Sequence, residues 1–234
     1  MNPRIGLIIP SSNCLAEPQC NRYAAPIGIG IHVTRLRMTG PWHKPLKELQ
    51  PAIMEAAAVL SDTHPGIILF NCTASSMEEG LSGEAMIIDA IQKAGGCAAL
   101  TTGRAINEAL DFLSAKKLVL ISPYPAKTNE HEIRYLEQAG FEVLHDFGLG
   151  LKGGEEYIAV TPERWKEIVY ENLRPEADAY LLSCTNTRMI EGIEEIEKGL
   201  GRPVITSNQA ALWAALQRLE FNGEIAALGR LFVQ

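Results

Sequence analysis

The sequence predicts an α/β protein of two pseudo-symmetric lobes, each a four-stranded parallel sheet flanked by helices, with the active site in the cleft between them. Three observations predict this. Short β-rich apolar runs alternate with amphipathic segments along the whole chain. Those runs are nearly continuous in apolar residues, the pattern of strands covered on both faces. The chain also repeats itself weakly: Pro10 precedes Cys72 by 62 positions, and Pro123 precedes Cys184 by 61.

The elements follow in order. A strand at Ile5–Ile9 runs into the turn-forming Pro10-Ser11-Ser12-Asn13, and Cys14 and Cys20 fall on the loop or helix beyond it. A strand at Ile31–Leu36 and a helix at Leu46–Leu60 lead to a third strand at Gly66–Phe70, which ends in Asn71-Cys72. A helix at Gly83–Ala94 is stopped by Gly95-Gly96, and a strand at Cys97–Thr101 and a helix at Arg104–Ser114 complete the half. The second half repeats the plan. A strand at Leu118–Ser122 enters Pro123-Tyr124-Pro125, a helix at Thr128–Ala139 stops at Gly140, and a strand follows at Glu142–His145. The glycine-rich Gly148–Gly154 fits neither a Rossmann nor a P-loop pattern and is expected to be a mobile loop over the cleft. A helix at Pro162–Leu173 precedes the strand Ala179–Ser183, which ends at Cys184. The last units are a helix at Arg188–Gly199, a strand at Val204–Thr206 and a helix at Gln209–Leu219. The boundary is placed near Ala115–Lys117. It gives an N-terminal lobe of residues 1–115 and a C-terminal lobe of residues 116–234, with room for the ends to cross over.

Composition narrows the function. The chain has 234 residues, 47% hydrophobic and 21% charged, with a net charge of −7 and no basic cluster, which argues against nucleic-acid or anionic-membrane partners. No run is long and apolar enough to span a membrane, and the start enters a strand too soon for a secretory signal, so a cytoplasmic protein is expected. The five cysteines are odd in number and lack C-x-x-C spacing, and the five histidines show no ligand spacing. Neither a disulfide framework nor a metal site is expected, and no cofactor is called for.

Cys72 and Cys184 are the residues most able to carry chemistry. Each ends an apolar run and is followed by small hydroxyl residues, Thr73-Ala74-Ser75-Ser76 and Thr185-Asn186-Thr187. Backbone N–H groups in a strand-to-helix turn stabilise a thiolate or bind a carboxylate, and the hydroxyls add donors. The same Ser and Thr residues also serve as ordinary helix caps. Ligands of open α/β sheets bind beyond the carboxyl ends of the strands, where Ser11, Asn13, Cys72, Tyr124 and Cys184 all fall. Tyr124, held between two prolines, can donate to a developing oxyanion; it is equally read as a half-buried aromatic in a turn. Cys97 reads as core packing in its strand. Arg35 and Arg37 alternate on one strand, suited to an anion but also to solvent.

Taken together, Ile5-Gly-Leu-Ile-Ile-Pro-Ser-Ser-Asn13, the two cysteine motifs, Ser122-Pro-Tyr124, Arg202-Pro-Val-Ile-Thr-Ser and Gly229-Arg-Leu-Phe resemble the aspartate/glutamate racemase superfamily. Within it they are most similar to the maleate cis-trans isomerase and arylmalonate decarboxylase branch. The resemblance implies two pseudo-symmetric lobes around a cofactor-independent site. It implies that Cys72 attacks the alkene carbon of an isomerase substrate while Cys184 handles the proton. It also matches Asn13 to an asparagine that binds a substrate carboxylate, and Tyr124 to a tyrosine of both branches. Thr73 matches a hydroxyl residue of the decarboxylase's oxyanion loop, and Thr185 the residue whose backbone follows the second cysteine. In the decarboxylases the first cysteine position is glycine, so two cysteines tilt the reading toward isomerase or racemase. Against that, the loop Leu151-Lys-Gly-Gly-Glu-Glu-Tyr-Ile-Ala-Val lacks the further asparagine of the isomerases and resembles the decarboxylase loop.

Three functions are therefore weighed. The first is a cofactor-independent isomerase or racemase of a small carboxylate or dicarboxylate, with Cys72 and Cys184 reacting and Ser11, Asn13, Thr73, Tyr124 and Thr185 holding the substrate. The second is an arylmalonate-type decarboxylase with Cys184 as proton donor. The third is a two-lobed small-molecule binding protein with inert cysteines. A homo-oligomer is compatible with each.

Overall fold

The computed structural model describes residues 3–233. The strands are β1 (Arg4–Pro10), β2 (Gly30–Leu36), β3 (Ile67–Phe70), β4 (Ala98–Thr101), β5 (Lys117–Ser122), β6 (Glu142–Gly148), β7 (Ala179–Leu182) and β8 (Val204–Thr206). They form two four-stranded parallel sheets, ordered β2-β1-β3-β4 and β6-β5-β7-β8. The second order is the first with four added to every number, so the repeat read from the two Pro-to-Cys spacings is a repeat of topology. The helices are α1 (Ala16–Ala24), α2 (Leu46–Ser61), α3 (Thr73–Met77), α4 (Gly80–Gly95), α5 (Thr102–Phe112), α6 (Ala126–Gln138), α7 (Glu155–Ala159), α8 (Pro162–Glu171), α9 (Ile193–Leu200) and α10 (Ser207–Arg218).

The two-residue period of the strands sorts their side chains into layers. Ile8 of β1 and Ile68 and Phe70 of β3 pack outward under α2 and α4, with Leu49, Ile53, Ile87 and Ile91. Val119, Ile121, Tyr180 and Leu182 pack outward under α8 and α9, with Trp165, Ile168, Val169 and Ile196. The alternate residues Leu7, Ile9, Leu69, Leu118, Leu120 and Leu181 face inward and join one core with α5 and α10. The chain thus buries a single continuous apolar layer between its two sheets, and α10 of the second half packs on α5 of the first.

Helix starts show the repeat at side-chain level. The Thr101 hydroxyl accepts the Arg104 N–H at 3.1 Å and caps α5. Thr206 does the same for α10, where Gln209 reaches back to the Thr206 N–H and closes a capping box.

Some expectations need correcting. The stretch expected as a mobile loop is partly structure: Gly148 ends β6, and the N–H groups of Leu149, Gly150 and Leu151 bond to the carbonyls of Ser122, Tyr124 and Pro123 at 2.9–3.1 Å. Gly148 is required there, because a Cβ would meet the Tyr124 carbonyl oxygen at 2.4 Å. Cys97 precedes β4 and is partly exposed at the edge of the outer layer, where a core position was expected. Of the loop or helix expected to carry Cys14 and Cys20, α1 holds Cys20 while Cys14 precedes it, and helices α3 and α7 were not foreseen, at five residues each too short to show a period. In the expected helix Arg188–Gly199, the first turn, Met189–Gly192, is a 3₁₀ turn. Among the described residues no helix is long and apolar enough to cross a membrane.

Candidate active site

The carboxyl ends of β1, β3, β5 and β7 open on a cavity of about 440 Å³. Of the residues singled out in the sequence, Ser11, Asn13, Cys72, Tyr124, Cys184 and Thr185 stand in its walls. Thr73 does not. Its hydroxyl lies beneath the cavity and donates to the Ser207 hydroxyl at 2.8 Å, which in turn accepts the Cys184 N–H at 3.0 Å. Thr73 thus ties the turn after β3 to the turn after β7.

This tie is one of several buried polar contacts between the two halves. Asn71 donates to the Asn208 side-chain Oδ1 at 3.1 Å, and the Asn208 amide donates to the Gln19 side chain and the Thr185 backbone carbonyl. Gln19 donates to the Thr187 carbonyl at 2.8 Å. Asn13 is fully employed: its side-chain Oδ1 accepts the Leu15 and Ala16 N–H groups at the start of α1, and its side-chain amide donates to the Thr185 hydroxyl at 3.0 Å. Arg35, read as a possible anion ligand, donates to the Asn13 carbonyl at 2.6 Å and pairs with Glu17, bracing the loop from outside the cavity.

The two thiols have matched surroundings. Cys72 is 6% exposed and Cys184 5%, so both are enclosed by protein yet open to the cavity. Burial raises both above an ordinary cysteine, Cys184 to about 12. Hydrogen bonds oppose this. The side chain and backbone of Ser75 favour a Cys72 thiolate, with Cys72 Sγ 3.3 Å from Ser75 Oγ. The Tyr124 hydroxyl and the Asn186 N–H favour a Cys184 thiolate, the latter 3.3 Å from Sγ. Each sulfur therefore has two donors ready for a negative charge, and each is disfavoured as an anion when the other is charged.

Tyr124 is held by its turn. Ser122 Oγ accepts the Tyr124 N–H at 3.1 Å and donates to Asn129, which is anchored on Asp146. Its ring meets that of Tyr157 edge-on at 5.7 Å between centroids. Burial pushes both phenols up, so both stay protonated and act as donors near neutral pH.

Sequence reasoning missed Tyr157, Trp42 and Glu132. Tyr157 lies on α7, in the loop noted for lacking an asparagine; its phenol and the Lys152 ammonium are the polar groups that the loop brings to the cavity, beside Gly153 and Gly154. Trp42 forms the outer wall with Thr39, Gly40 and Pro41, and the Arg37 guanidinium stacks 4.8 Å from its ring centre. Glu132 lies buried on α6 and raises both thiols. An acid on the polar-rich helix 126–138 gave no signal that it pointed inward.

The family model for arylmalonate decarboxylase matches residues 5–232. The chain belongs to the arylmalonate decarboxylase family. A maleate isomerase of Geobacillus stearothermophilus is 26% identical over 97% of this chain and 96% of its own. The arylmalonate decarboxylase of Bordetella bronchiseptica is 25% identical over 98% and 96%. Among solved structures, a mutant of the Nocardia farcinica maleate cis-trans isomerase with a covalently bound succinylcysteine intermediate superposes with a TM-score of 0.90 at 24% identity, covering 98% of each chain. The arylmalonate decarboxylase family fold, two parallel four-stranded sheets flanked by helices, is the fold of this chain.

Proposed function

We propose that this protein is a cofactor-independent isomerase or racemase of a small carboxylate, maleate isomerase-like, with Cys72 and Cys184 as the reacting pair. The observation that carries it is the pair itself: two thiols in one cavity, one from each half of the chain, each with two donors for a thiolate. The covalent succinylcysteine in the Nocardia relative supports a nucleophilic cysteine in this fold.

In the isomerase reading, the Cys72 thiolate adds to the alkene carbon of an unsaturated carboxylate. A C–S bond forms, the π bond breaks, and its electron pair moves toward the carboxylate as an enediolate. Tyr124 and Tyr157 donate to the developing oxyanion, and Cys184 supplies the proton to carbon. The former double bond is now single and rotates. Return of that proton to Cys184 and loss of the Cys72 sulfur give the other geometric isomer, with no net oxidation or proton change. In the racemase reading, one cysteine takes the α-proton and the other delivers one to the opposite face. Asn13 and Thr185 fix the wall that receives a carboxylate, with Ser11 at its rim, and Thr73 fixes the spacing of the two cysteine turns.

A second reading, decarboxylation with Cys184 as proton donor, is favoured by the wide cavity with aromatic walls at Trp42, Tyr124 and Tyr157, and by the loop without asparagine. A carboxylate panel incubated in deuterated water and followed by NMR separates the readings, because isomerisation, α-exchange and decarboxylation leave different products. Loss of isomerisation or exchange in both Cys72→Ala and Cys184→Ala supports the pair. Unchanged turnover in both variants overturns it, and decarboxylation retained or raised in Cys72→Gly transfers the assignment to the second reading.

A further inference from the structure

Behind the thiols, on the second turn of α6, lies a carboxyl that neither reaction uses. Glu132 is completely buried, and neither of its oxygens has a well-formed hydrogen bond. The polar side chain in reach is the Ser183 hydroxyl, on the residue before Cys184, which also lacks a well-formed bond. The contrast with Glu84 is informative. Glu84 is equally buried, but it accepts from Thr101 and Tyr135 and pairs with Arg104 at 3.1 Å. One buried acid is fully satisfied, whereas the other has no counter-charge.

The groups that feel Glu132 are those of the site. Its charge raises Cys72 of the turn after β3, Cys184 of the turn after β7, Tyr124 of the turn after β5 and Tyr157 of α7. Glu78, just after α3, adds its own charge on Cys72 and is bonded to His43. On α6 itself the next buried group is Tyr135, inside the Glu84–Arg104 cluster. Arg104 is committed to Glu84, and Lys152 reaches the cavity wall from the loop before α7; neither pairs with Glu132. A carboxylate in such a place is disfavoured, so the proton stays on until about pH 8.

We propose that Glu132 is a positioning acid of the thiol pair, lodged neutral behind Cys184 so that the site can carry one negative charge, and holding both thiols protonated once it ionises. Two anions in one dry pocket repel, so the first to form suppresses the second. The neutral acid therefore leaves the single charge to sulfur. The proposal rests on the cysteines being the reacting groups, but its test uses no substrate, so its failure is distinct from failure of the isomerase reading.

The test follows alkylation of each thiol by iodoacetamide, resolved by mass spectrometry, in the wild type and in Glu132→Gln. Below a thiol's pKa the rate rises about tenfold per pH unit. In the wild type the rates of Cys72 and Cys184 are expected to flatten through about pH 8, as Glu132 ionises. In Glu132→Gln the flattening disappears, and both rates at about pH 9 exceed the wild-type values by about 5- to 10-fold. Cys97, at the opposite end of β4 from the cavity, serves as an internal control and is unchanged. Superimposable profiles for Cys72 and Cys184 in the two folded proteins overturn the proposal. Should the variant not fold, the infrared carbonyl stretch of the wild type decides. A protonated-carboxyl band lost near pH 8 is the expected result, and loss of every such band below about pH 6 overturns the assignment.

Discussion

At the scale of single residues, the site differs from an ordinary cleft in having two enclosed thiols, each with prepared donors for a negative charge. Removing Cys184 takes away the group that moves the proton in either enzymatic reading, so Cys184→Ala is expected to lower kcat by about 100-fold or more. Tyr124 acts on the same sulfur. Its hydroxyl favours the Cys184 thiolate, so Tyr124→Phe raises the Cys184 pKa further. The sign is then fixed: at any pH below that value less thiolate is present, and Cys184 alkylates more slowly in the variant while Cys72 changes little. Faster alkylation of Cys184 would contradict the hydrogen bond.

At the scale of elements, the loop between β1 and α1 serves two purposes through one side chain. Asn13 caps α1 with its carbonyl oxygen and holds Thr185 with its amide. Asn13→Ala loses both and is expected to cost about 1–2 kcal/mol of stability, measured by denaturant titration. Asn13→Asp keeps the cap, and the Thr185 hydroxyl can turn to donate to the carboxylate. Its stability stays near that of the wild type while its charge on the cavity wall repels an anionic substrate, seen as a raised KM. Thr206→Ala opens the capping box of α10, the helix whose first residue Ser207 accepts the Cys184 N–H, and costs about 1 kcal/mol.

At the scale of the whole molecule, one buried acid ties folding to pH. Glu132 is raised from the usual 4.5 to about 8 in the folded chain. The unfolded chain therefore loses this proton first, and folding stability falls as pH rises between the two values. The contribution is fully present below about pH 4.5 and lost through about pH 8, worth about 5 kcal/mol over that range at 1.36 kcal/mol per unit. Urea midpoints measured from pH 5 to 8 are expected to fall in the wild type and to stay nearly level in Glu132→Gln. A stability that rises over the same window would remove Glu132 as the dominant titrating group.

The sequence by itself determined the alternation of strands and helices, the four parallel strands of each half and the place of both cysteines at strand ends. These are local facts: apolar runs, glycine stops and turn residues act within a few positions of themselves, and the Pro-to-Cys spacings carry the repeat. It also named six of the cavity's wall residues, Ser11, Asn13, Cys72, Tyr124, Cys184 and Thr185. The tertiary structure decided the rest. It turned the Thr73 hydroxyl down to Ser207 and brought Tyr157 and Trp42 to the same cavity from segments with no motif. It buried Glu132 without a partner on a helix that reads as polar. Those outcomes depend on how the two sheets pack across one shared core, a relation between residues distant along the chain, and no spacing along the chain encodes it.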